Sequence, residues 1–402
     1  MKKKLRLFLC ALLILLPCLF VWPADFGLVL DQTAGVGAYG KDARFDYAGM
    51  LVPRFSALLG ASGEITVSAG LMLEYAQGTL SFVPELLRTE FSWNFESWDF
   101  RVGRMQYSDP LGFIADGLFD GTRFSLDTNG GTFSAGAWYT GFLYKSRANI
   151  TMKEDELLSS FNKLDYSDFY HTYFAPRRIF AALEWENPSL ADFFGMRAAF
   201  LGQFDLSKEN RLNSQYLALK FTLPYRAFVF GLGGCLEFVQ ASGVINKVAL
   251  AGELEIDWEL PTRIDDQLSL LGRFSSGVGK NGCTAAFSPI SSAAQGELLK
   301  PRFSGISMIS LEYAARIHET FSAGVSSSYF IRSDLGTFNY SVNYGADGHF
   351  VGNEFFARFL WSPISDIQLN LGGGVFLPSM GNAAPKADSL WRVELNVIIA
   401  LY

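Results

Sequence analysis

The chain has 402 residues, 49% hydrophobic, 15% aromatic and 18% charged, with a formal net charge of −7. That length holds one large domain or two ordinary ones, and the acidic balance argues against nucleic acid as a partner. With 37 Phe, 16 Tyr, 39 Gly and only 14 Pro, the composition is that of a strand-rich, turn-rich fold.

At the N-terminus, Lys2, Lys3, Lys4 and Arg6 precede an apolar run from Leu7 to Val21, too short for a spanning helix and flanked like a secretory leader. Cleavage after Ala24 fits the small-residue rule. It removes four positive charges and no negative one, which takes −7 to −11. Leu15-Leu16-Pro17-Cys18 offers the other route, acylation at Cys18. Cys235 and Cys283 remain, too few for a disulfide framework, and whether they pair is open.

Beyond residue 24 no apolar stretch is long enough for a membrane helix. Instead, segments of roughly 10 to 14 residues alternate apolar and polar positions, as expected where one face meets lipid and the other water. Ile65, Val67, Ala69, Leu71, Leu73 and Tyr75 alternate with Glu64, Thr66, Ser68 and Glu74. Val248, Leu250, Leu254, Ile256 and Trp258 oppose Glu253, Glu255, Asp257 and Glu259, and Trp391, Val393, Leu395, Val397, Ile399 and Leu401 oppose Arg392, Glu394 and Asn396. A helix would scatter these apolar residues around its circumference.

Strands are expected near residues 27–38, 48–60, 63–77, 87–96, 98–106, 118–127, 131–144, 177–187, 195–206, 213–223, 226–240, 246–259, 266–278, 305–317, 320–332, 352–362, 366–377 and 390–402. Short links alternate with longer ones, and the longest, near 145–176, 279–304 and 333–351, share one parity. The fold class that follows is all-β: a single antiparallel up-and-down transmembrane barrel of about eighteen strands, sixteen being the alternative, with tight periplasmic turns and long external loops. The domains are a leader at 1–24 and a barrel at 25–402.

A barrel that wide is not filled by its own side chains, so it implies an outer-membrane channel for passive diffusion of small hydrophilic solutes. Alternation points Arg54, Arg101, Arg123, Arg178, Arg197, Lys220, Arg273, Arg316, Arg358 and Arg392 into the lumen. It also points in Glu64, Glu74, Glu90, Glu184, Glu237, Glu253, Glu255, Asp257, Glu312, Glu354 and Glu394, within a larger acidic set that includes Asp99, Glu186 and Asp205. The acidic excess predicts weak cation selectivity. For any single residue, pairing with a neighbour on the next strand accounts equally for a charge on the inner face. The loop near 145–176 mixes Glu154, Asp155, Glu156, Asp165 and Asp168 with Leu157, Leu158, Phe161, Leu164, Phe169 and Tyr173. It can cap the outer surface or fold inward and narrow the channel.

Arg101-Val102-Gly103-Arg104 and Asp116-Gly117-Leu118-Phe119-Asp120-Gly121-Thr122-Arg123 resemble the Gly-Arg and Phe-Asp-Gly-x-Arg strand motifs of alginate-export-type outer-membrane porins. The resemblance implies an eighteen-stranded channel with Arg104 and Arg123 facing the lumen, whereas alternation puts Arg101, not Arg104, inside. A net acidic lumen does not suit alginate itself. The C-terminal Tyr402 resembles the terminal aromatic of outer-membrane assembly signals, which implies outer-membrane lipid and the barrel-assembly machinery as partners. Oligomeric state is not readable.

Two other functions compete. His171, His318 and His349 are isolated, with no Ser-His-acid or metal-ligand spacing around them, so no enzyme and no cofactor is expected. The alternative function is a surface protein whose external loops bind a partner while the barrel serves as an anchor.

Overall fold

The two-residue rhythm becomes a closed wall. The structure, a computed structural model, describes residues 24–39, 42–76, 78–153, 156–157, 164–207, 211–241, 247–279, 284–334 and 348–401. Residues 1–23 of the expected leader, with Cys18, and also Cys283 and Tyr402, lie outside the described residues, and Ala24 is the first residue of β1. The strands are β1 (Ala24–Tyr39), β2 (Ala43–Leu59), β3 (Gly63–Ala76), β4 (Thr79–Asn94), β5 (Trp98–Ser108), β6 (Asp116–Thr128), β7 (Gly131–Tyr139), β8 (Arg178–Leu190) and β9 (Phe194–Asp205). The second half continues with β10 (Leu212–Tyr225), β11 (Phe228–Ala241), β12 (Lys247–Glu259), β13 (Asp265–Ser275), β14 (Ile306–His318), β15 (Phe321–Arg332), β16 (Phe350–Ile364), β17 (Ile367–Leu377) and β18 (Leu390–Leu401).

Each strand pairs antiparallel with its neighbour in the chain, and β1 pairs with β18, from Leu28–Leu401 to Tyr39–Leu390. The ring of eighteen therefore closes on itself, the one arrangement of strands that a bilayer tolerates. Each of the eighteen expected segments overlaps one observed strand. Links after even-numbered strands are tight, such as 129–130, 226–227 and 365–366, while those after odd-numbered strands include 140–177, 276–305 and 333–349. Ala24 at the start of β1 and Leu401 at the end of β18 thus lie on the tight-turn side.

Apolar side chains point outward in a belt. On β12, Leu250 and Leu254 are more than 40% exposed while the intervening Glu253 is 4% exposed. On β18, Trp391, Val393 and Leu395 form the outer row. An apolar surface that continuous is a membrane-facing surface.

The clearest departure from expectation is β4, which begins at Thr79 rather than near 87. Pro84 and a register shift opposite Val67–Ala69 break its alternation, and Ser68 Oγ fills the shift by accepting from Arg88 N–H at 3.1 Å. Pairing with β5 runs only from Asn94–Asp99 to Thr89–Arg104, so the first half of β4 is locally an edge, where proline costs no ladder bond. Gly103, at φ +122°, closes that seam: a Cβ there would run into Thr89 O.

Candidate functional site

The packed core lies inside the barrel. Met105, Tyr107, Phe119, Trp138, Phe180, Leu201 and Tyr216 project inward from β5 to β10 and are fully buried, because three long links turn into the lumen and cover them. The first, residues 109–115, is wound around Asp109, whose carboxylate accepts from the N–H groups of Leu111, Ile114 and Ala115, each at 2.8 Å. Burial pushes this carboxyl up to about 6, against the pull of those three amides. Phe113 from this turn meets Phe303 at 4.6 Å and Phe287 at 6.1 Å. Leu111 reaches across to β11, where a side chain in place of Gly233 would collide with it.

The second and third inward links, within 140–177 and 276–305, are bonded to each other and to the first. Ser291 N donates to Ile114 O at 3.0 Å, Thr151 N to Ile290 O at 2.8 Å, and Asp116 N to Ser291 Oγ at 2.7 Å. Within 140–177 the stretch around Ile150 and Met152, both buried, therefore folds inward. The link's short helix Phe169–Tyr173 sits at the mouth, where Tyr144 and Tyr173 pack against Met72 and Val83.

Wall charges anchor this plug. Glu354 of β16 is 2% exposed and accepts from the N–H groups of Glu297, Leu298 and Leu299 at 2.7, 2.9 and 2.9 Å. Glu237 of β11 accepts from Ser288 N at 2.7 Å and Ser214 Oγ at 2.8 Å, and Tyr216 donates to Ser288 O at 2.6 Å. Arg178 binds Thr151 O and, at 2.5 Å, Glu156. Arg273 reaches Gln295 at 3.1 Å and lies over the Phe113 ring. These four were expected as lumen charges, and they face inward, but loop backbone and loop side chains cover them.

The other expected residues sort by height and neighbour. Arg101 pairs with Asp99 at 3.2 Å, Arg123 with Glu184 at 3.1 Å, and Arg197 with Glu186 at 3.3 Å, around a cavity of about 350 Å³ beneath the first loop. Glu184 also accepts from Tyr107. Glu90 is buried against Arg88 at 2.8 Å, with Arg101 at 3.8 Å. Lys220 lies between Glu253 at 2.8 Å and Glu255 at 3.5 Å, and Glu253 also meets Arg273. Asp257 accepts from Ser269, Glu64 from Thr66, and Arg316 turns to Glu319 O at the rim. Glu312 and Arg358 pair at 2.8 Å. Arg54 and Glu74 share the inward row of Ser68 and Met72 by register.

At the closing seam Arg392 of β18 forks onto Asp46 of β2 at 2.7 and 2.8 Å, with Glu394 at 2.8 Å. It passes over Gly35 of β1, where a Cβ would strike the guanidinium. Asn396 joins Asp31, Thr33 and Asn370 in a polar network beside it. Among the described residues, no hydrogen bond or ion pair ties an inward loop to β18, β1 or β2. Loop contacts run from β3, where Arg147 reaches Met72 Sδ at 3.3 Å, round to β16 and β17, and the polar inner rows of β18, β1 and β2 receive no such loop bond.

Arg104 does not point into the barrel. It lies on the outward row with Val102, 3% exposed, in a two-pronged pair with Asp120 at 2.9 and 2.7 Å. Its remaining N–H groups reach Leu86 O and Phe142 O, so it bridges the seam where β4 parts from β5. Arg101 and Arg123 are the inward arginines of this region, as alternation required.

Asp109 and Asp46 were not singled out from sequence, and Glu156 was named only as one of the acids of the 145–176 loop. Asp109 had a readable signal, an Asp-Pro-x-Gly turn. Among the described residues no group of three or more His, Cys, Asp and Glu is arranged to hold a metal.

No protein-family model and no curated protein sequence matches the chain. Solved structures do. The outer membrane protein OpdK of Pseudomonas aeruginosa superposes with a TM-score of 0.61 at 11% identity, over 94% of this chain and 98% of that one. OprD of the same organism gives 0.59 at 14% identity, over 94% and 93%. OccK2, solved in complex with glucuronate, gives 0.60 at 10%, over 94% and 96%. At these identities the likeness establishes the fold: this chain folds as those outer-membrane barrels do.

Proposed function

We propose that the chain is an outer-membrane channel through which small hydrophilic solutes diffuse passively, exported by the leader at residues 1–24 and embedded with its tight turns on the periplasmic side. The observation that carries this reading is the polar inner row of β18, β1 and β2, to which no inward loop is bonded among the described residues, beside a plug that hangs from the rest of the barrel. A barrel serving only as an anchor has no use for an inner face kept wet along one side. The short resemblance of residues 101–104 and 116–123 to alginate-export porins adds to the channel reading, while the acidic lumen separates its cargo from a polyanion. Two of the similar solved structures contain small carboxylated molecules, OccK2 with glucuronate and OpdK with vanillate, which supports small polar solutes as the class.

The lumen charges predict modest cation preference, since Asp31, Glu64, Glu74 and Glu394 share the inward rows of β18 and β1 to β3 with Arg54 and Arg392. Purified protein in a planar bilayer should give discrete conductance steps, and a salt gradient should give a reversal potential of cationic sign. Absence of steps, together with no swelling of sugar-loaded liposomes, overturns the channel and favours the anchor. An anionic sign overturns the selectivity alone.

A further inference from the structure

A second cavity, of about 440 Å³, opens at the loop-side rim, away from β18, β1 and β2. Its outer lip is aromatic. Tyr139 ends β7 on the lipid-facing row in register with Ile179, and Phe142, more than half exposed, packs edge-on against it at 4.9 Å. Tyr170 and Phe174, 5.6 Å apart, complete the lip. Tyrosine and phenylalanine at this level mark the boundary between apolar belt and water.

The cavity is electrically lopsided. Its two carboxylates are already neutralised, Glu156 by Arg178 and Lys153, and Asp205 by Lys153 and the N–H groups of Ser207 and Leu212. Its cations are not. Lys145 is 5% exposed, has no carboxylate within 4 Å among the described residues, Asp168 acting on it only from farther off, and gives one of its three N–H bonds to His171 O at 2.9 Å. Arg177 is exposed and makes no side-chain hydrogen bond or ion pair among the described residues. The His171 ring is held by Asp168 at 2.6 Å. A buried ammonium with one acceptor is an unfavourable arrangement unless something supplies more.

We propose that this rim cavity binds a phosphate-bearing group, with Lys145 Nζ and the Arg177 guanidinium taking the phosphoryl oxygens and the aromatic lip taking the attached sugar or acyl body. Arginine beside lysine suits a phosphate, the first as a planar fork and the second as a point charge. The phosphate can come from the headgroup of a phosphorylated glycolipid in the surrounding leaflet or from free phosphate. The site does not depend on what the lumen passes.

The test uses the full barrel, folded in detergent and checked by heat-modifiable migration on gels. Native mass spectrometry with bisphosphorylated lipid A is one arm, and calorimetric titration with inorganic phosphate is the other. One lipid A retained per barrel assigns the headgroup, and saturable phosphate without lipid retention assigns the free ion. In either case Lys145→Met and Arg177→Gln should weaken binding at least tenfold, with Lys145→Arg retaining it. Arg177→Gln sits at an exposed position and keeps the test decisive if Lys145→Met does not fold. No binding in either arm, or binding by both variants equal to the parent, overturns the site.

Discussion

Replacing Glu354 with Gln tests whether the plug is held by the wall. In the parent, one carboxylate oxygen accepts from Glu297 N and the other from Leu298 N and Leu299 N. A glutamine can keep its oxygen on the latter two, but it must then turn an NH₂ toward Glu297 N, donor against donor. Hydrogen bonds to a charged group contribute about 1.5–3 kcal/mol and neutral ones about 1. Losing one charged bond and neutralising two therefore costs on the order of 3 kcal/mol of loop seating. At 1.4 kcal/mol per decade that is roughly a hundredfold in the ratio of seated to unseated loop. The apolar contacts of Leu298, Leu299 and Phe303 still favour the seated state, so the expected result is intermittent excursions rather than a permanently larger pore. Single-channel recordings of Glu354→Gln should show brief steps to higher conductance where the parent is quiet, and limited proteolysis should cut within 284–305. Recordings and digests indistinguishable from the parent, in a variant that migrates as folded, would refute the anchoring argument.

Acidity should act on the first inward turn. Because burial lifts the Asp109 carboxyl to about 6 in the seated turn, above its ordinary value near 3.9, protonation favours seating. That contribution is present in acid and lost as pH rises through 6. Conductance noise should therefore be lower at pH 5 than at pH 7, and Asp109→Asn should flatten the difference; an unchanged pH profile in that variant rules the carboxyl out as its source. Arg104→Ala removes one partner of a buried pair and takes one donor each from Leu86 O and Phe142 O. Such losses cost about 3–5 kcal/mol, so the temperature at which the folded gel band disappears should fall clearly, and an unshifted transition would show that the β4–β5 seam does not need the guanidinium.

The wall was legible because its period is short and its two solvents differ. Leu254 and Glu253 are neighbours in sequence and opposites in burial, and eighteen such alternations with links of alternating length leave little room for another fold. The β4 boundary was not legible, since Pro84 and the shift near Arg88 erase the rhythm there. The direction of the charged rows was readable, but the coverage of individual members was not. Glu354 and Glu394 read alike in their strands, and what separates them is a loop that arrives from residues 297–299. That arrival left one trace in the sequence: the inward rows of β5 to β10 hold Met105, Tyr107, Phe119, Trp138, Phe180, Leu201 and Tyr216, too apolar to face water. Arg104 shows the limit of motif resemblance, because the residue is present and one position of parity turns it to the other side of the wall.

The arginine that spans β1 bears on how such a ring comes together. Until β18 docks, Asp46 faces a half-built cylinder with no cation opposite it, and Asp31 lacks the amide of Asn396. Final docking delivers both partners in one movement, so the electrostatic reward for circularisation comes at the last joint. Gly35, the smallest residue available, is the doorway that lets it through.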